Sequence, residues 1–275
     1  MAHILDTTPA FEAFARKAFL ESPFLRETLW EQRYETAHPE VFAAFYAAEP
    51  SVAGRGALVQ DLSQVREVAK YAAPVMTRLI GEVEPAVADA MGMAGTPTPQ
   101  HVLLVGPMST SAAVGRLEGD VALFHCLEWF NSEEGARVLV AHEDAHAFHQ
   151  MRLEGSLPTD AAWMAFYEGV AMQVSRSVVP GRPEEDYFWY GYAGFSKWLP
   201  WCQEQRGALE EGFATALNDP EAGETYFGSG LVEGRWRVGF YLADYLVGGL
   251  GLSIPELISM TVEEGRAAIR KALGH

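Results

Sequence analysis

Basic residues are scarce in this sequence: 20 lysines and arginines stand against 37 aspartates and glutamates, a formal charge of -17. Such an excess repels phosphate backbones and anionic headgroups unless cations gather into a patch. No Lys/Arg cluster occurs, so neither nucleic acid nor a membrane is expected as a partner. Also missing are a run of about eighteen apolar residues and a basic start followed by an apolar stretch. The expectation is a protein that stays in the cytoplasm. Cysteine is nearly lacking. Cys126 and Cys202 lie far apart in apolar or aromatic stretches, ALFHCLEWF and WLPWCQEQ, which suits two buried thiols in a reducing compartment; a bridge between them is the less favoured reading. No repeat, low-complexity tract or linker divides the 275 residues. They read as one unit, with a helical part over 1–95 and a small sheet plus site helices over 96–275.

Apolar residues recur at three and four positions in FEAFARKAFL and VFAAFYAA, which predicts helices in the first third. Ser22-Pro23 is a helix start, and Asp61 with Gln64 resembles a capping pair before a long segment ending near Met93. Pro74 and Pro85 are expected to kink or split that segment. HVLLVG and DVALFHCLEWF, short, apolar and partly β-branched, read as two strands, with a hairpin as one arrangement. Helices are then expected over 133–152, 159–178, 194–216, 236–249 and 262–273, with capping-box spacings at Ser253–Glu256 and Thr261–Glu264. The fold class is α+β, mostly α-helical with a small sheet.

The segment VLVAHEDAHAFHQ holds His142-Glu143-Asp144-Ala145-His146. On a helix, two histidines four residues apart lie one above the other and can reach one ion at about 2.0 to 2.1 Å. Glu143, about 100° further round, addresses a water on that ion instead. Catalytic zinc normally takes three protein ligands and keeps a fourth position open. Glu168 in WMAFYEGVAMQV, on the next helical segment beyond the EGSLP turn, is the best third candidate. Gly169, Ala165 and Ala171 would let the two helices approach closely. Manganese, nickel or iron could replace zinc in such a donor set.

HEDAH followed by FYEGVA resembles the gluzincin zinc peptidases, the thermolysin-like clan whose third ligand is a glutamate on a downstream helix. EGVA together with GRWRVGFYLADYLVGGLGLSIPELISMTVEEGRAAI resembles a bacterial family of uncharacterised predicted zinc-dependent proteases. The resemblance covers about residues 138–270. It implies a zincin-like fold with the small sheet beside an active-site helix pair. It implies a peptide or protein substrate, one Zn2+ held by His142, His146 and Glu168, and Glu143 as general base. It also implies an edge strand, HVLLVG or DVALFHC, that would pair with an extended peptide. Family likeness and donor chemistry point to Tyr241 as the oxyanion donor, with Tyr245, Tyr226 and Arg235 behind it.

Two residues depart from the family pattern. Asp144 occupies a normally uncharged position and must be solvated or paired, and Met172 stands where an acidic residue orients a ligand histidine, so Asp144 or a backbone carbonyl would have to do so. His149 shares the histidine face, as a supporting donor, a competing ligand or an ordinary helix-end histidine. His125 reads as a hydrogen-bonded interior histidine before a substrate contact. The aromatics of FWYGYAGFSKWLPWC suit a core better than a groove, and the acidic runs RPEEDYF and DPEAGETYF suit a solvated surface. Beside the hydrolase stand two other readings. One is a catalytically inactive zincin-like binding or regulatory protein; the other is a helical small-molecule binder without metal, with the aromatic belt as its pocket.

Overall fold

The computed structural model describes residues 2–153 and 157–274; the expected EGSLP turn lies partly outside them. The chain is mostly helical with one four-stranded sheet, which bears out the α+β expectation at that level. The strands are β1 (His3–Asp6), β2 (Gln100–Leu104), β3 (Ala112–Leu117) and β4 (Asp120–Cys126). The helices are α1 (Thr8–Ala18), α2 (Pro23–Leu29), α3 (Pro39–Ala48), α4 (Arg55–Gln60), α5 (Leu62–Ala90), α6 (Glu133–Arg152) and α7 (Ala161–Val178). They continue with α8 (Asp186–Trp189), α9 (Trp198–Glu204), α10 (Arg206–Ala216), α11 (Ala222–Phe227), α12 (Val238–Gly248), α13 (Ile254–Ser259) and α14 (Val262–Ala272). No helix among the described residues is long and apolar enough to cross a membrane. Two compact units result: one from residues up to Glu84 with Thr96–Ala136, the other from Pro85–Gly95 with the chain from Arg137 onward.

The first unit holds the sheet, in the order β1-β2-β4-β3, with β1, β2 and β4 parallel and β3 antiparallel to β4. Both strands expected as a free edge are therefore internal, and the edges are β1 and β3. The physical reason is in their composition: β2 and β4 are apolar on both faces and almost wholly buried, as strands flanked on each side are. The hairpin is β3–β4, closed by Glu118-Gly119 with positive φ at both residues (55° and 97°), a turn whose twist matches the strands. β1 lies in a region expected to be helical, and β3 in a segment expected to be a connection. Four residues, or six containing glycine and two alanines, give a weak strand signal.

Phe11, Phe14, Trp30 and Tyr34 form an aromatic core next to the sheet's parallel edge. The Val105 N–H donates to the Tyr34 hydroxyl (2.8 Å), Tyr34 to Thr7 Oγ1 (2.8 Å), and Thr7 to the Leu103 carbonyl (3.0 Å). This relay ties the helical layer to the ends of β1 and β2. On another side of the same unit His101 bonds Glu84 (3.0 Å) and His125 (3.1 Å), all three buried. Burial, and His101 beside it, keep His125 neutral, its pKa well below 6.5. His125 is an interior histidine.

The second unit is built around α7, against which α11, α12, α13 and α14 pack. Ser253–Glu256 and Thr261–Glu264 both close capping boxes, and Ser22 caps α2. α5 runs unbroken through Pro74 and Pro85: each proline removes one ladder bond, and the buried face of the rest of the helix outweighs that loss. The stretch expected as one helix over 194–216 is two, divided at Gln205.

Candidate metal centre

α6 starts at Ser132, whose hydroxyl accepts from the Gly135 N–H (3.1 Å), and Glu133 and Glu134 occupy the first turn, where the helix dipole favours them. The i, i+4 spacing then brings the Nε2 atoms of His142 and His146 to 3.0 Å, with the rings 85° apart. α7 starts at Asp160, which accepts from the Trp163 N–H and is held by Arg266 of α14. His149 lies by Trp163, His146 by Tyr167 and His142 by Glu168, so the two helices run antiparallel. Glu168 Oε2 sits 3.1 Å from His142 Nε2 and 3.2 Å from His146 Nε2. The three candidate ligands therefore converge, and among the described residues no other group of three such side chains does.

The small residues beside Glu168 act elsewhere. A Cβ on Gly169 would lie 2.4 Å from Val247 Cγ2 and 2.5 Å from the Ala243 carbonyl, so this glycine admits α12, not α6. One residue of helical rotation, about 100°, separates the two faces. Histidine and aromatic side chains fill the space between α6 and α7. Tyr167 stacks on His146 (4.2 Å between centroids) and donates to the His146 carbonyl (3.0 Å). Tyr190 and Phe240 pack on His142 at 5.8 and 6.5 Å.

A triangle of two imidazole nitrogens and a carboxylate oxygen, all 3.0 to 3.2 Å apart, cannot be satisfied by protons alone. If both nitrogens donate to Glu168, two N–H groups face each other; if one does, a lone pair faces the carboxylate. A cation at the centre makes all three approaches attractive. Tetrahedral coordination with bonds of about 2.0 to 2.1 Å places donors about 3.3 Å apart, close to what is seen. The residues present fit a zinc ion.

No family model matches this chain, and no curated protein or solved structure matches it significantly.

The electrostatics agree with the donor geometry. Burial opposes charge on Glu168, but the neighbouring imidazoles outweigh it and hold its carboxyl well below the usual range. Burial also opposes charge on His146, yet Glu168 and Glu143 raise its pKa. Both shifts express a demand for positive charge at this point. Glu143 is part-buried, and removal from water pushes its carboxyl up against the pull of the two histidines. A carboxyl so raised is suited to hold a proton in transit.

The remaining candidates sort clearly. Tyr241 does not join the cluster: its charged and polar surroundings are Arg206, Cys202, Glu210 and Tyr245, because one residue of helical rotation turns Phe240 towards His142 instead. Arg206 lies over Tyr245, Tyr226 packs on Phe213, and Arg235 lies over Trp201. The tyrosine whose ring meets His142 is Tyr190, and Arg237 approaches its hydroxyl at 3.5 Å. Both residues are non-glycine with left-handed backbone, φ 50° and 60°. Conformations this costly persist where surrounding structure enforces them. No fixed-spacing motif marks either residue; the tyrosine preceding a glycine inside an aromatic run is the only trace.

Asp144 is fully buried on the face away from the histidines, which excludes the solvated alternative. Met172 is core. Neither Asp144 nor a backbone carbonyl bonds the Nδ1 atoms of His142 and His146, which have no hydrogen-bond partner among the described residues; ring packing orients the imidazoles. His149 is no ligand: it is buried between Trp163, Phe166 and Tyr167, with its pKa lowered to about 3 by burial. Cys126 and Cys202 are both buried and are not joined by a disulfide. In the aromatic stretch Phe188 and Trp198 are core, but Trp189, Phe195 and Trp198 also line a pocket of about 290 Å³. In the acidic runs, Glu184 pairs with Arg176 and Asp186 with Arg182.

Proposed function

We propose that this chain is a zinc-dependent hydrolase, a metallopeptidase of zincin-like, gluzincin type. The observation that carries the reading is the Nε2–Nε2–Oε2 triangle of His142, His146 and Glu168 with Glu143 beside it. Zinc, when bound, supplies Lewis acidity, polarising a carbonyl and lowering the pKa of a water towards about 7. Glu143 accepts the proton of the attacking water and delivers it to the departing amine nitrogen, a role suited to its raised pKa. The Tyr190 phenol, kept protonated by burial, donates to the oxygen that gains charge as the carbonyl is attacked. Tyr167 and Phe240 hold the two imidazoles in place by packing.

Elemental analysis and peptide hydrolysis together test this reading. Protein purified without chelator or affinity nickel is expected to carry about one zinc per chain, lost or much weakened in His146→Ala and Glu168→Ala. Glu143→Gln is expected to keep the metal and lose turnover by about 10²- to 10⁴-fold, since it serves the water rather than the ion. Stoichiometric metal with no turnover on broad peptide libraries would transfer support to a non-hydrolytic binding or regulatory role. No metal, even after zinc is added back, would overturn the centre itself.

A further inference from the structure

Several arginines of the second unit pair with carboxylates, whereas Arg237, like Arg235, rests on aromatic rings. Arg176, Arg182 and Arg266 each pair with a carboxylate. Arg237 has no ion-pair partner among the described residues, although the chain carries nearly two acidic residues for every basic one. Its Nε is buried without a hydrogen-bond partner. Aromatic faces hold it instead: the guanidinium carbon lies 3.9 Å from the Phe240 ring centre, 5.5 Å from Tyr190 and 5.6 Å from Trp189. Such contacts position a cation without neutralising it. Through Tyr190 and Phe240 this cation adjoins His142; through Trp189 it adjoins the aromatic pocket.

That pocket, about 290 Å³, is walled by Trp189, Phe195, Trp198, Leu231 and Trp236, and Lys197 and Arg235 also line it, Arg235 lying over Trp201. Trp189 and Phe195 stack in parallel at 3.5 Å, and Trp198 meets Trp189 edge-on. Leu231 and Trp236 are more than half exposed, so the pocket opens to solvent. An apolar cavity beside a cation that has no direct ion pair, and whose charge reaches Glu143 only at longer range, is complementary to a group with a large apolar side chain and a carboxylate on the same carbon. The C-terminal residue of a peptide has that form.

Resting on the hydrolase reading above, we infer that the chain removes C-terminal residues with large apolar side chains. The terminal carboxylate pairs with Arg237 and the side chain enters the Trp189–Trp236 pocket. The last peptide bond then lies at the metal centre. Its C–N bond breaks, the water's hydroxyl goes to the acyl carbon, and the water's other proton reaches the leaving nitrogen through Glu143. The products are a shortened peptide and a free apolar amino acid.

Binding to the zinc-loaded Glu143→Gln protein, followed by calorimetry and tryptophan fluorescence, tests the inference without turnover. N-acetylphenylalanine is expected to bind at least about tenfold more tightly than its uncharged amide, the usual worth of a charge-assisted hydrogen bond. Adding Arg237→Gln should bring that ratio close to one, and Arg237→Lys should keep part of it, with melting curves confirming that both variants fold. Trp236→Ala, at an exposed position, should weaken N-acetylphenylalanine more than N-acetylalanine. Equal affinity for acid and amide would overturn the inference and leave Arg237 serving only the charge developing at the carbonyl; so would failure of both to bind. Failure of the hydrolase reading is seen separately, as wild-type protein that holds zinc but shows no Glu143-dependent turnover of any peptide, amidated or free.

Discussion

Exchanging Gly169 for alanine puts the packing around the metal centre to a direct test. The added methyl would meet Val247 Cγ2 at 2.4 Å and the Ala243 carbonyl at 2.5 Å, against an ordinary carbon contact of about 3.5 to 4.0 Å. Val247 can rotate, but a carbonyl within α12 cannot move alone, so the helix must shift by about an ångström. Overpacking of this kind costs about 1 to 3 kcal/mol, and involvement of backbone favours the upper end. Alanine's better helix propensity returns about 1 kcal/mol, leaving a net loss of about 2 kcal/mol. At about 2 to 4 °C per kcal/mol, Tm should fall by about 4 to 8 °C in a thermal melt. Because α12 carries Phe240 against His142, zinc affinity should weaken as well. Gly81→Ala is the control: it lies inside α5 with nothing within 4 Å of the new methyl, so propensity alone acts and Tm should rise. A Gly169→Ala protein as stable as the parent would refute the claim that this glycine exists to admit α12.

Removal of the Tyr34 hydroxyl, as in Tyr34→Phe, leaves the buried Val105 N–H without its acceptor; a loss of about 1 to 3 kcal/mol is expected in denaturant unfolding. Burial pushes the Glu128 carboxyl up to about 7 although the Gly106 and Met108 N–H groups donate to it. An acid whose folded pKa lies above its ordinary 4.5 contributes stability that is present below 4.5 and lost as pH rises through 7. The stability of Glu128→Gln should therefore depend less on pH between 5 and 8 than that of the parent, and identical slopes would remove Glu128 as the cause. Zinc at about a thousand times its Kd should add about 4 kcal/mol to stability, and nothing in His146→Ala. In Tyr190→Phe, kcat should fall while metal content stays at the parent's level; an unchanged kcat would take Tyr190 out of the mechanism.

The candidate metal ligands were readable because their geometry is local. Four residues on a helix bring two imidazoles together whatever surrounds them, and a glutamate on the following helix is within reach once the pair folds back antiparallel. Caps were readable for the same reason, as Ser22, Ser253 and Thr261 act on backbone three residues away. Strand order was not: continuous apolar runs in HVLLVG and DVALFHC announce strands, but only pairing with β1 and β3 reveals that both are internal. Which tyrosine meets the histidines was not either. Tyr241 and Tyr190 are alike as residues, and what separates them is that α12 turns Phe240 towards the histidines while a left-handed residue after α8 brings Tyr190 to His142. By itself the sequence determined which atoms meet through one or two turns of backbone, since covalent geometry sets those distances. Which helix Gly169 admits, and which aromatic rings hold Arg237, depended on contacts between distant segments, and only the tertiary structure decided them.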